Sequence, residues 1–236
     1  MSTRAFEHAP SGVGEAPPER RSSALLPQGV VDAALRAIDA TARILVARGV
    51  TANAVTVGSL FLAAVAGMAL SMGCFASAAM VGTLSALGDA LDGAIARRAC
   101  RASVGGALLD ASADRYGEFL VLGGLAIHFR DQIAALVLTL GAIVGSFMVS
   151  YGSAKAEALR VPVPGGLMRR PERAMCLCAG ITVAAPLSWL AERGDLPAWT
   201  ARAPVFAALG LLAFVANASA IARLRLVARA RDRSIG

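Results

Sequence analysis

Histidine is almost missing from this sequence. There are two in 236 residues, and only His128 falls in an apolar stretch. A zinc centre built on imidazole is therefore not expected in the interior. The four cysteines, Cys74, Cys100, Cys176 and Cys178, follow no metal-binding spacing. They read as small buried residues of helices. Aromatic residues are 5% of the chain and are not interleaved with basic ones, which excludes a stacking surface for nucleic acid. Lysine occurs once, as Lys155; every other basic residue is arginine. Residues 1–27 lack the apolar core of a cleavable signal peptide and are rich in Pro, Ser and Glu. They are predicted to be a disordered cytoplasmic leader.

What the chain does have is apolar sequence. It is 56% hydrophobic, with a mean hydropathy of +0.62. The apolar residues come in blocks of about 20, the length that crosses a bilayer as a helix. Six such stretches lie near 53–72, 76–97, 105–128, 132–154, 174–191 and 202–224. Before them, residues 28–48 repeat apolar side chains (Val31, Leu35, Ile38, Leu45) at helical spacing, with Arg36, Arg43 and Arg48 elsewhere. That pattern predicts a helix lying in the membrane interface. Gly49 ends it, and Thr51 or Asn53 can cap the next helix. The predicted fold is all-α and integral to the membrane. Six transmembrane helices follow an amphipathic interfacial helix, in one membrane-embedded domain over 28–236.

Charge orients this arrangement. The amino-terminal region, the loops at 97–104 and 155–173 and the tail after 222 carry nearly all the arginine, whereas the opposite side holds Arg130, Arg193 and Arg202. The positive-inside rule places both termini in the cytoplasm. The net charge of +7 fits contact with anionic lipid head groups.

Against this background, four aspartates stand out. Asp89 and Asp92 lie near the end of the second stretch, and Asp110 and Asp114 near the start of the third. A charged carboxylate at a bilayer centre costs roughly 2.5–3.5 kcal/mol on insertion scales. Four of them require a partner, and divalent metal is the natural partner of clustered hard oxygens. On helices, Asp89, Asp92, Gly93 and Ala96 share one face, with Arg97 at its edge; Gly106, Asp110, Asp114 and Gly117 share another. The short link between the two helices predicts antiparallel neighbours whose acidic faces meet. The deepest carboxylates would lie about 12 Å from their helix ends. Such a set can hold two divalent cations, Mg2+ or Mn2+, beside a diphosphate. Paired acids also mark ion pathways, so an ion-coupled transporter is the competing reading. A catalytically silent scaffold would need none of the four.

The run Asp89-x2-Asp92-Gly93-x2-Ala96-Arg97-x8-Gly106-x3-Asp110-x3-Asp114 resembles the signature of the CDP-alcohol phosphotransferase family, with no gap or substitution. The entry Gly49-Val-Thr-Ala-Asn-Ala-Val-Thr56 is similar to that family's turn into its first span, with Ala52 where members often have Pro. The resemblance implies transfer of a phosphatidyl or similar group from a CDP-linked lipid to an alcohol, with release of CMP, in phospholipid synthesis. It implies metal ligation by Asp89, Asp92, Asp110 and Asp114, with Asp114 as general base. It further implies a nucleotide pocket lined by Gly93, Ala96, Arg97 and Gly106, and a homodimer. The segment from Ser150 through Lys155 to Arg169, Arg170 and Arg173 resembles the branch that makes phosphatidylinositol phosphate. That implies an acceptor site for inositol phosphate. Ser153 stands where the branch commonly has a basic residue, which leaves glycerol phosphate, free inositol and other polyols open.

Overall fold

A computed structural model of the chain describes residues 28–99, 103–162 and 168–232. The leader predicted over 1–27 lies outside them, as do Cys100 and the middle of the 155–173 loop. Every described element is helical: α1 (Gln28–Ala47), α2 (Ala52–Ser71), α3 (Phe75–Arg98), α4 (Val104–His128), α5 (Ile133–Ala158), α6 (Arg170–Glu192), α7 (Ala198–Leu211) and α8 (Asn217–Asp232). A five-residue π-helical turn, Leu212–Ala216, joins α7 to α8. The chain divides after Ala37 into two compact units. The described part of the first is the opening of α1, where Leu35 is exposed. The second unit holds everything from Ile38 onward.

Local sequence explains the helix ends. Gly49, at φ 76°, takes the left-handed conformation that closes α1. Its N–H donates to the Val46 carbonyl and that of Val50 to Leu45, both at 3.0 Å. The Thr51 hydroxyl then caps α2 by accepting from the Ala54 N–H at 3.2 Å. The Ser103 hydroxyl does the same for α4, accepting from Gly106 at 3.0 Å. In the second unit, Ala42 of α1 packs on Ala94 and Ile95 of α3. The Arg98 guanidinium grips Asp39, with Nε donating at 2.8 Å. That hydrogen bond holds the Asp39 carboxyl below its usual value. The pair therefore stays charged at neutral pH and is lost only as pH falls through that lowered value.

The sequence places the fifth apolar stretch at 174–191. The helix instead begins at Arg170, a full turn earlier. Pro171 sits in its first turn, and the Glu172 carboxylate accepts from the Arg169 N–H at 3.0 Å. Arg170 and Arg173 are thereby helical rather than loop residues. Met168, just before this start, has φ 61°. A methionine in that conformation is strained by about 1–2 kcal/mol. Burial of its side chain against Val149, Ala216 and Ala220 holds it there.

Among the described residues, four helical rods are long and apolar enough to cross a membrane: Ala52–Ser71, Ile133–Ala158, Arg170–Glu192 and the continuous Ala198–Ala230. α3 and α4 are as long, at 24 and 25 residues, but carry the acidic and basic residues of the signature. α2 is the hub, packing against both of them. Its closest approach is to α4. A Cβ on Gly67 would strike the Leu120 carbonyl, and one on Gly124 the Gly67 carbonyl. The glycines are what permit two backbones to meet there. α3 and α4 pack chiefly on α2 rather than on each other. Their acidic faces consequently flank a cleft. α6 packs against α3 and brings its amino-terminal turn to that cleft. The main core lies at the other end of the bundle, where Leu70, Phe75, Leu122, Phe129, Val205 and Leu209 are buried together.

Candidate active site

Asp92 is the buried member of the acidic set, 4% exposed. The Thr56 hydroxyl of α2 donates to its Oδ2 at 2.6 Å. Asp89, one turn back on α3, is half-buried and faces the cleft. Across it, Asp114 of α4 also faces the cleft, while Asp110 is exposed one turn nearer the helix start. Asp89 and Asp110 lie within electrostatic reach of both Asp92 and Asp114. The four are thus one cluster, drawn from two helices.

As they stand, no three acidic, His or Cys side chains among the described residues form a ready cation cage. A cation is nevertheless already there. The Arg170 Nη2 pairs with Asp89 at 2.8 Å and also with Asp114. One nitrogen therefore bridges carboxylates from the two helices. That bridge, the all-oxygen donor set and the lack, among the described residues, of a cationic side chain on Asp92 all fit divalent metal of the hard class.

The cleft has room for about 120 Å³ of solvent-sized contents. Asp89, Asp114, Arg170 and Arg173 border one end. Beyond them its walls are small and apolar, with Ala63, Ala66, Gly82 and Gly117 among them. A second cavity, of about 660 Å³, opens beside the α1–α2 turn. This falls in the range of small-molecule sites. Val50, Asn53, Ile95, Ala96 and Ser103 line it. A Cβ on Gly106 would sit 3.1 Å from the capping Ser103 Oγ and 3.5 Å from the Asn53 Oδ1, so glycine leaves room for the cap. Gly93 lies beneath Arg97, whose Nη1 would be 3.3 Å from an added Cβ. Arg97 itself is exposed. Ala96 therefore borders the larger cavity, Gly93 lies on the stretch of α3 between it and the aspartates, and Gly106 sits beside its lining residues Asn53 and Ser103.

The residues predicted for an acceptor divide into three groups. Arg173 is 1% exposed and bonds through all three nitrogens to protein groups. Its Nε and Nη2 donate to the two Glu118 oxygens at 2.8 and 3.0 Å, and Nη1 to the Met168 carbonyl at 3.1 Å. Nη2 also reaches the Ser150 hydroxyl at 3.4 Å. Arg169 and Arg170 open α6, Arg170 over the carboxylates. Lys155 is exposed on the last turn of α5.

Two residues escaped the sequence reading. Arg223 of α8 reads there as part of a basic tail. Its Nη1 donates to the Ser153 hydroxyl, and its charge lies near those of Arg169 and Arg173. Its buried Nε has no hydrogen-bond partner among the described residues. A basic group thus reaches the position that Ser153 leaves neutral, from a helix 70 residues away in sequence. No local pattern could have signalled that. Thr56 is the other; its place on the buried face of α2 was legible, but not its carboxylate partner.

A family model described as CDP-alcohol phosphatidyltransferase matches residues 49–218. The phosphatidylinositol phosphate synthase of Mycobacterium marinum is 38% identical over 153 residues, 63% of this chain and 65% of that protein. An uncharacterized protein of Aquifex aeolicus is 34% identical over 134 residues, 56% of this chain and 68% of that one. Among solved structures, phosphatidylinositol phosphate synthase of Mycobacterium tuberculosis with CDP-DAG bound superposes with a TM-score of 0.68 at 30% identity. The match covers 81% of this chain and 94% of that one. The same enzyme in complex with manganese and citrate gives 0.68 at 28% identity, over 80% and 88% of the two chains.

Proposed function

The chain belongs to the CDP-alcohol phosphatidyltransferase family, as a membrane enzyme of phospholipid synthesis, and from that premise we propose a specific reaction. It transfers the phosphatidyl group of a CDP-linked diacylglycerol to inositol phosphate and releases CMP. The observation that carries this is that carboxylates from α3 and α4 border one cleft and share the Arg170 guanidinium across it. The family match sets aside ion-coupled transport. α3 and α4 serve as the second and third of six spans, their charges turned to the site, with the termini and the cleft on the cytoplasmic side. The enzyme acts as a homodimer.

Asp89, Asp92, Asp110 and Asp114 hold two divalent cations, magnesium or manganese. When bound, these offset the diphosphate charge and that of departing CMP. The small residues Gly93, Ala96 and Gly106 admit the nucleotide, and Arg97 meets its phosphates. Arg170 moves off Asp89 and Asp114 toward the acceptor's phosphate. Asp114 takes the proton of the acceptor hydroxyl as that oxygen bonds to phosphorus and the bond from phosphorus to CMP breaks. A carboxylate is a weak base, so placement against the hydroxyl supplies what basicity does not.

A phosphorylated acceptor is favoured by the arginines rather than by a polyol-binding set. The Arg223 charge lies near those of Arg169 and Arg173, with Ser153 on Arg223 and Ser150 on Arg173, and Arg170 stands one residue from Arg169 over the carboxylates. The test is a panel of acceptors offered to the purified enzyme with radiolabelled CDP-diacylglycerol and magnesium. Labelled product is expected with inositol phosphate, at least ten times faster than with free inositol, since a charge-assisted hydrogen bond contributes about 1.5–3 kcal/mol. Product from free inositol at an equal or greater rate overturns the assignment. Product from glycerol phosphate alone would keep the arginine site and change the polyol.

A further inference from the structure

Thr56 behaves unlike Thr83 and Thr139. Thr83 and Thr139 turn their hydroxyls back onto the carbonyl four residues earlier, at 2.7 and 2.8 Å. That is the ordinary resting place of a helical threonine. In Thr56 the same distance, to the Ala52 carbonyl, stretches to 3.1 Å, while Asp92 Oδ2 lies at 2.6 Å. A hydroxyl has one proton, and the shorter, charged contact takes it. Both partners are 4% exposed, so water does not compete for this bond.

The α2–α3 seam is built to deliver the contact. A Cβ on Gly88 would come 2.8 Å from the Ser59 Cβ, so glycine lets the helices close. The Ser85 hydroxyl donates to the Ser59 carbonyl at 2.8 Å, and the Ser59 hydroxyl to that of Thr56 at 3.0 Å. The Ser85 bond and the Gly88 contact, both to Ser59, fix the register of the two helices on one side of the Thr56–Asp92 pair. Asp92 also differs from its fellows in what it lacks. Asp89 and Asp114 share the Arg170 guanidinium and Asp110 is exposed, whereas Asp92 is buried with a neutral hydroxyl.

We propose that Thr56 is a positioning residue for the cation site, pinning Asp92 Oδ2 so that the carboxylate is held in one orientation before metal binds. An unpinned carboxylate must lose rotational freedom on binding, and groups that orient ligands in this way are worth 10–100-fold in metal affinity. This inference rests on the metal-site reading proposed above.

The test uses the full chain in nanodiscs with no substrate, titrated with Mn2+ and read by the electron paramagnetic resonance of free Mn2+. Thr56→Val keeps the shape and removes the donor. It is expected to weaken Mn2+ binding about 10-fold or more. Thr56→Ser restores a donor and is expected to stay within about 4-fold of the natural chain, the span left by a single methyl group. If the valine variant does not fold, Thr56→Ala, which only deletes atoms, is expected to show the same loss. Mn2+ affinity unchanged in the valine or alanine variant, with Asp92→Asn still losing the ion, overturns the role of Thr56 alone. Equal weakening by valine and serine overturns it too, since the hydroxyl would not be the agent. Failure of the natural chain to bind Mn2+ in a manner sensitive to Asp92→Asn overturns the underlying metal site instead.

Discussion

Asp92→Asn is expected to reduce CMP release by about 10²–10³-fold or more, the scale on which removing one stabiliser of transition-state charge acts. The substitution is close to isosteric, and its amide oxygen can still accept from Thr56. The α2–α3 seam should therefore survive, and thermal unfolding should shift little. What goes is the negative charge, at the one member of the cluster that is 4% exposed and has no arginine beside it. Structure offers no reason to bury that charge except to meet a cation: an unpaired buried charge costs far more than a hydroxyl returns. The assay follows labelled CMP from CDP-diacylglycerol with saturating acceptor and magnesium. Release at the natural rate would show that the carboxylate is dispensable.

The second large effect falls on stability. Arg173→Leu strips the partner from Glu118, which is held bidentately from a guanidinium 1% exposed. Breaking such a pair from one side costs up to about 3–5 kcal/mol, because the partly buried Glu118 charge is left unmatched on the cleft wall. For a chain of this size that corresponds to a fall in melting midpoint on the order of 10 °C. The double variant Arg173→Leu with Glu118→Leu should recover most of the loss, since both desolvation costs vanish together. The strained Met168 gives a further reason for the fall, because Arg173 also holds its carbonyl. Equal melting of the natural chain and Arg173→Leu would show that the pair carries no stability. A double variant worse than the single would show that packing, not charge, is what Arg173 supplies.

Much of the arrangement was legible from residue pattern. Apolar blocks, Gly49 and the Thr51 cap located the helices to within a few residues, since these signals are local. The four aspartates were legible because a carboxylate in an apolar helix has no stabilising role of its own. The start of α6 was misplaced by reading Arg170 and Arg173 as loop charges. Pro171 and Glu172 carried the contrary signal, as the first-turn proline and capping acid of a helix. The short link between α3 and α4 predicted antiparallel neighbours with acidic faces able to meet, and Asp89 and Asp114 do share Arg170 across the cleft. A short link fixes sequence neighbours, not which faces touch, and the glycines of α2 and α4 draw α4 onto α2. Arg223 and Thr56 were beyond reach for one reason: each meets its partner across a separation in sequence, of 70 and 36 residues, that only the packed bundle closes.

These details converge on the aspartates of α3 and α4 working through bound divalent cations. The most direct measurement is CMP release by the purified natural chain, freed of metal by chelator and then titrated with magnesium or manganese. Release should be absent in excess chelator and return in full as either ion is restored. Undiminished release with every divalent cation sequestered would contradict it.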